Sequence, residues 1–275
     1  MSAGLNVTVR ARGKVPVLQP HGMLTERTGT EVRRILAKVL VDHGRAVVDL
    51  NGFRVSRASC VTVFPAALDQ CGGWPRARLV LYRADEAMAR ALAQQGVSAL
   101  IPVCRMLSEA EEAIERRPTV VRARIRLPCD DLALDLARRL VRDTCPNWQV
   151  DPEFQQITEL VVSELVDNAV RHARTAAALT LERGPRGLRV AVRDTAAWAG
   201  FAPPGPELRR PGRGLELVVR LTATWGVEMH PVGKTVWAAI TETRQARAEP
   251  IRAPINATQW PSRVADDHLG FEGRV

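Results

Sequence analysis

Apolar and polar positions alternate with two different rhythms along this chain. Up to about residue 117, short β-type runs trade places with helical spacing. Residues 15–18 (Val-Pro-Val-Leu) read as a strand. Residues 30–41 place Val32, Ile35, Leu36, Val39 and Leu40 on one helical face. A continuous apolar run over 45–50 ends at Asn51-Gly52, a strand entering a turn. Residues 61–68 predict a second helix, broken or kinked at Pro65. Residues 78–82 predict a strand, 85–95 a helix capped by Asp85, and 100–103 a short strand. Ser108 with Glu111 three residues on reads as a capping box opening a helix over 108–116. Strands alternating with helices predict an α/β domain.

Pro118 marks the boundary. Residues 120–127 alternate as a strand with one arginine-bearing face, and 130–144 carry Leu132, Leu136, Leu140 and Val141 at helical spacing. A longer helix follows over 154–173. Two strands, 179–181 and 188–192, flank the turn Gly184-Pro185-Arg186-Gly187. Residues 195–211, with four prolines and two glycines, read as a loop. A helix over 215–221 and strands over 225–229 and 235–240 complete the pattern, and beyond Thr243 it dissolves. The expected layout is an α/β domain over 1–117, a second domain with helices and strands over 118–243, and a disordered tail over 244–275.

Composition narrows the class. At 275 residues and 46% hydrophobic the chain can bury real cores. No apolar run approaches a membrane span, and the N-terminus lacks a charged region followed by an apolar stretch, so a cytoplasmic address without membrane contact is expected. The five cysteines, Cys60, Cys71, Cys104, Cys129 and Cys145, form no CxxC pair and read as core fillers rather than metal ligands. The formal charge of +9 invites a nucleic-acid reading. However, 36 of the 39 basic residues are arginines scattered over the whole chain, and aromatic residues for base stacking are only 4%. No direct nucleic-acid binding is expected.

Candidate chemistry concentrates in the second half. Glu164 and Asn168 lie four residues apart on one predicted helix, within Glu164-Leu165-Val166-Asp167-Asn168-Ala169. A carboxylate can take a proton and an amide oxygen can ligate Mg²⁺; an ordinary solvated face reads equally well. Asp194, at the end of a strand, can accept a hydrogen bond from an amino group such as adenine N6. Gly212-Arg213-Gly214-Leu215 opens a helix, where backbone N–H groups can approach phosphate; a structural turn is the plainer reading. Gly233-Lys234-Thr235-Val236-Trp237 tempts toward a P-loop. It fails that pattern: Glu228 stands where the first glycine should be, and a strand follows rather than a helix. Lys234 reads either as a point charge for phosphate or as a solvated turn residue. His172 reads as a helix-end histidine, and Trp198 as a cover for its loop.

In this order, these segments resemble the GHKL ATPases, and within them the serine kinases that act as bacterial anti-sigma factors. The resemblance spans about residues 119–242. It implies a two-layer α/β sandwich (α+β) with a mixed, mostly antiparallel sheet, binding ATP and Mg²⁺. It makes Glu164 the general base, Asn168 the Mg²⁺ ligand, Asp194 the adenine-recognising carboxylate and Thr235 its helper. Gly212, Arg213, Gly214 and Leu215 become the phosphate-covering loop. Ala196 stands where the family often carries a glycine.

The first half resembles the STAS domain of anti-sigma-factor antagonists. The residues that carry this are Val47-Val48-Asp49-Leu50-Asn51-Gly52-Phe53, then Ser59, with Val17-Leu18-Gln19-Pro20-His21-Gly22-Met23-Leu24 before them. Arg57-Ala58-Ser59-Cys60 falls where antagonists carry Asp-Ser-Ser/Thr-Gly, so the acceptor position is Ala58, without a hydroxyl. Ser59 reads as an N-cap. Together the two resemblances imply a serine/threonine protein kinase that transfers the γ-phosphate to a STAS-domain antagonist partner in a sigma-factor pathway. The alternative is a non-catalytic nucleotide-binding or interaction switch. The resemblance leaves a homodimer open.

Overall fold

The computed structural model describes residues 5–12, 15–173, 175–195 and 213–241. The loop expected at 195–211 lies almost wholly outside them, and the expected tail wholly outside. The chain divides into two compact units between Thr119 and Val120.

The first unit contains β1 (Asn6–Arg12), β2 (Val15–Leu24), α1 (Glu26–His43), β3 (Arg45–Asp49), β4 (Phe53–Val55), α2 (Val63–Gln70), β5 (Arg78–Tyr82), α3 (Glu86–Gln94), α4 (Val97–Leu100), β6 (Val103–Cys104) and α5 (Leu107–Ala113). Its strands run in the order β1-β2-β3-β5-β6, with β4 beside β2. The β1/β2 pair is antiparallel and the others are parallel, so the sheet is mixed. A single helix returns the chain between β2 and β3, which is what parallel pairing requires. That helix, α1, starts where Thr25 and Thr28 cap each other and stops at Gly44 in the left-handed region. Its Val32, Leu36, Val39 and Leu40 are buried. Val15, Val17, Val47, Val80 and Tyr82 form a cluster with Ala110 and Ile114.

Four local expectations change here. The hairpin partner β1, with Val7, Val9 and Ala11 between polar residues, extends the sheet before the first expected strand. The helix expected to kink at Pro65 is a 3-10 turn, Ala58–Thr62, followed by α2. Pro65 falls in the first turn of α2, where its missing N–H is no loss. Leu100 ends a helix instead of starting a strand, since a four-residue apolar run fits either. The caps also move. Glu109 accepts from the N–H of Arg105 and of Met106 at 2.9 and 3.3 Å, so α5 opens before Ser108. Ser59 lies inside the 3-10 turn, and its carbonyl accepts from the Thr62 hydroxyl.

The second unit contains β7 (Val121–Leu127), α6 (Leu132–Thr144), α7 (Pro152–Ala173), β8 (Ala177–Gly184), β9 (Gly187–Asp194), α8 (Arg213–Leu221), β10 (Thr224–Met229) and β11 (Lys234–Ile240). The strand order is β10-β11-β9-β8-β7, and every pairing among the described residues is antiparallel. The expected mixed character therefore belongs to the first unit. The reason is connection arithmetic. Two helices, α6 and α7, separate β7 from β8, so the chain re-enters the sheet in the opposite direction. Both β9 and β10 are antiparallel to β11, which sits between them and keeps these like-directed strands apart. Helix α7 packs against β8, β9, β11, α6 and α8. It buries Ile157, Thr158, Val161, Val162, Leu165, Val166 and Ala169. Each fully buried aliphatic in that row contributes about 1.5–3 kcal/mol of transfer free energy.

Candidate functional site

The β9 strand alternates sides along its length. Leu188, Val190 and Val192 are almost fully buried on one face, and Asp194 follows them on that face as the terminal residue. Antiparallel partners share a face. In the β9/β11 register, Val192 meets Val236 and Arg193 meets Thr235. The next position toward the turn brings Lys234 to Asp194. The Asp194 carboxylate, 2% exposed, receives the Lys234 ammonium on Oδ2 at 3.0 Å and the Lys234 backbone N–H on Oδ1 at 3.3 Å.

Thr235 turns to the other face, where its hydroxyl lies 2.8 Å from His230 Nε2. The structure thus brings Lys234 against the Asp194 side chain, while Thr235, expected as its helper, lies beside His230. The signal was present in the strand alternation: residues paired with Arg193 cannot share the face of Asp194.

Gly233 makes this approach possible. Its φ is +77°, and a Cβ there would stand 2.0 Å from the Asp194 carbonyl oxygen. No side chain fits that gap, so the turn His230–Gly233 folds directly onto the end of β9. The Thr195 backbone N–H then reaches the Thr175 hydroxyl at 3.4 Å, closing the same strand end from the β8 side.

Glu164 and Asn168 lie on α7, half-buried, beside the row that faces the core. Asp167 pairs with Arg171 at 2.8 Å on the neighbouring flank. Because α7 packs on β9 and β11, the helix that carries Glu164 and Asn168 covers the strands that carry Asp194 and Lys234. Arg213, Gly214 and Leu215 form the first turn of α8, which also packs on α7. Gly212, Ala196 and Trp198 lie outside the described residues.

Among the described residues no group of three or more His, Cys, Asp and Glu could hold a metal by protein ligands alone. A Mg²⁺ bound mainly through phosphate oxygens needs only one or two protein ligands, which Asn168 can supply.

At the position expected to correspond to a phosphate acceptor, Ala58 begins the 3-10 turn with Arg57 before it. Ser56, the other hydroxyl nearby, donates to the Leu24 carbonyl at 2.9 Å and lies 3.7 Å from Cys60 Sγ.

Comparison with known proteins agrees with the second unit. The histidine kinase-like ATPase domain family matches residues 127–240. Among solved structures, an anti-sigma factor antagonist from Mycobacterium paratuberculosis is 18% identical, with a TM-score of 0.37, covering 42% of this chain and 100% of its own. The anti-sigma factor antagonist SpoIIAA in its unphosphorylated form is 10% identical, with a TM-score of 0.32, covering 40% of this chain and 96% of its own. No curated protein matches the chain. The second unit therefore carries, over residues 127–240, a domain that matches the histidine kinase-like ATPase family, joined behind an N-terminal α/β unit with a mixed sheet.

Proposed function

We propose that this chain is a cytoplasmic two-module regulator of a bacterial sigma-factor pathway. Its C-terminal domain binds adenine nucleotide and works as a protein-interaction switch, with a STAS-domain antagonist or a sigma factor as partner. The observation that carries this reading is the packing of α7, the helix that carries Glu164 and Asn168, on β9 and β11, the strands that carry Asp194 and Lys234, inside the segment matching an ATPase domain. Two features of the sequence favour a switch over an enzyme: Ala196 stands where the family often carries a glycine, and the position expected to accept phosphate in the first unit is Ala58, without a hydroxyl. No helix among the described residues is long and apolar enough to cross a membrane.

The test is calorimetric titration of the full chain with ATP and Mg²⁺. The expected result is binding with no phosphate transferred to a serine-bearing STAS partner. Absence of binding rejects the nucleotide reading.

A second reading keeps the kinase. It rests on Glu164 and Asn168 sharing the half-buried flank of α7. Asn168 would hold Mg²⁺, Glu164 would take the proton of a partner serine, and residues 212–215 would cover the phosphates, with Arg213 offsetting charge on the γ-phosphate. Transfer to such a partner, abolished by Glu164→Gln, is the outcome that selects this reading.

A further inference from the structure

A sheet edge offers a row of N–H and C=O groups to any other strand, and charged residues or short length normally keep it from pairing. The strand order of the first sheet ends on β1 and β6, that of the second on β7 and β10. The β1 strand carries Arg10 and Arg12, β6 is two residues long, and β7 carries Arg122, Arg124 and Arg126 at alternate positions. The β10 strand has no such guard. Its one charged residue, Glu228, is held by Arg189 at 3.3 Å, and its Val227 and Met229 are 44% and 47% exposed. Among the described residues it pairs with β11 alone. The turn after it closes with the His230 N–H donating to the Gly233 carbonyl at 3.1 Å. Antiparallel alternation then gives the backbone groups of Glu228 and Gly226 to β11. It leaves those of Trp225, Val227 and Met229 pointing away from the sheet.

We propose that β10 is a docking edge for a second copy of this chain, the two strands running antiparallel with Val227 opposite the partner's Val227. In this register Trp225 meets the partner's Met229, and each outward-facing residue exchanges both of its N–H···O bonds across the joint. Apolar and aromatic side chains then sit opposite one another on one face, a pairing that stabilises adjacent strands. On the other face Glu228 meets the partner's Gly226, so no like charges are opposed. The neighbouring registers are worse. A slide toward the turn sets Glu228 against the partner's Glu228, two carboxylates face to face. A slide the other way sets Met229 against the partner's Ala223, whose N–H is already given to the Ala239 carbonyl at 2.9 Å. A strand that fits itself in one register selects its own copy as occupant. The two-fold pairing uses both free edges and closes at a dimer. A joint of six-residue strands is smaller than a permanent interface, so the association is weak and follows concentration. It does not depend on the nucleotide reading.

The experiment is sedimentation velocity of the full chain without nucleotide, over about 5 to 500 µM, the range in which a small interface forms. The native chain should pass from monomer to dimer and no further. Val227→Pro removes an outward N–H that β11 does not use, so β10 keeps its own ladder while the joint loses its centre. The dimer Kd should weaken by about tenfold or more. Val227→Lys, which sets two ammonium groups opposite each other, should do the same, and it serves if circular dichroism melting shows the proline variant unfolded. Val232→Lys is the control. Val232 is 53% exposed in the turn beyond the paired residues, and its substitution should leave the dimer as in the native chain. A native chain that stays monomeric throughout, or grows past a dimer, overturns the proposal. So does a dimer that persists unweakened in a folded Val227 variant, or one that Val232→Lys weakens as much as Val227→Lys does.

Discussion

Arg83 lays its guanidinium along the buried carboxylate of Asp49, donating from Nε to Oδ1 at 2.9 Å while a terminal nitrogen meets Oδ2. The Tyr82 hydroxyl, the Gln19 amide and the Asn51 N–H complete the shell at 2.9, 3.1 and 3.1 Å. Burial pushes the Asp49 pKa up, but these donors, Arg83 foremost, outweigh it and hold it below the ordinary 3.8. A depressed folded-state pKa means that the stabilisation is complete above about 3.8 and disappears as pH falls below that value. Urea unfolding of the native chain and of Asp49→Asn as a function of pH checks this: the stability difference between them should shrink only in the acid limb.

Arg83 also sits at φ +56°, a conformation L side chains rarely adopt. Arg83→Ala should cost about 1–2 kcal/mol, the lower part of the range for charged hydrogen bonds because the guanidinium is 45% exposed. Arg83→Gly, which relieves the backbone, should lie about 1 kcal/mol closer to the native stability. Denaturant midpoints of the two variants decide it.

Gly233→Ala should be the most damaging single-methyl addition in the second unit. The added carbon would overlap the Asp194 carbonyl, which cannot yield without breaking the β9/β11 register. A loss of roughly 2 kcal/mol or more is expected from strain at this φ plus the displaced strand end. Thermal melting measures the loss, and calorimetry should show nucleotide binding lost in parallel.

Along α7, burial predicts opposite outcomes for the same change. Leu165 is 1% exposed and Leu160 50%. Leu165→Ala should cost about 2–4 kcal/mol and Leu160→Ala less than about 0.5. On the site flank, Asn168→Ala should remove the Mg²⁺ dependence of nucleotide binding, whereas Glu164→Gln should leave binding within about threefold. Titrations with and without Mg²⁺ separate the two.

The caps supply a local contrast. Asp85 accepts from the Met88 N–H at 2.8 Å, so Asp85→Ala should cost about 1 kcal/mol. Ser108, which lies within the first turn of α5, should tolerate Ala with almost no change. Equal losses at the two positions in urea unfolding would contradict the observed helix start.

Much of the fold was written in period and punctuation. The α1, β3, β5, α3, α6 and α7 segments announced themselves because each buries one face against a core, and burial imposes a spacing of 3.6 or 2 residues. Caps and turns followed where one side-chain type has one common use, as at Asp85 or at Gly184-Pro185-Arg186-Gly187. Short apolar runs such as 100–103 were ambiguous, since four residues do not distinguish the two periods. Glu164, Asn168 and Asp194 were visible only as candidate residue types, since a carboxylate or an amide on a helix or at a strand end suits more than one use.

Period and residue type alone therefore specified two α/β units, their main elements and the candidate polar groups of the second unit. Tertiary structure decided which of those groups meet. Strand direction in the second sheet depends on how many helices return the chain, and the partner of Asp194 depends on the β9/β11 register. That register turned Thr235 away and set Lys234 against the carboxylate. A shift of one residue would have exchanged them, because neighbours in a strand face opposite sides and only pairing across the sheet fixes which is which.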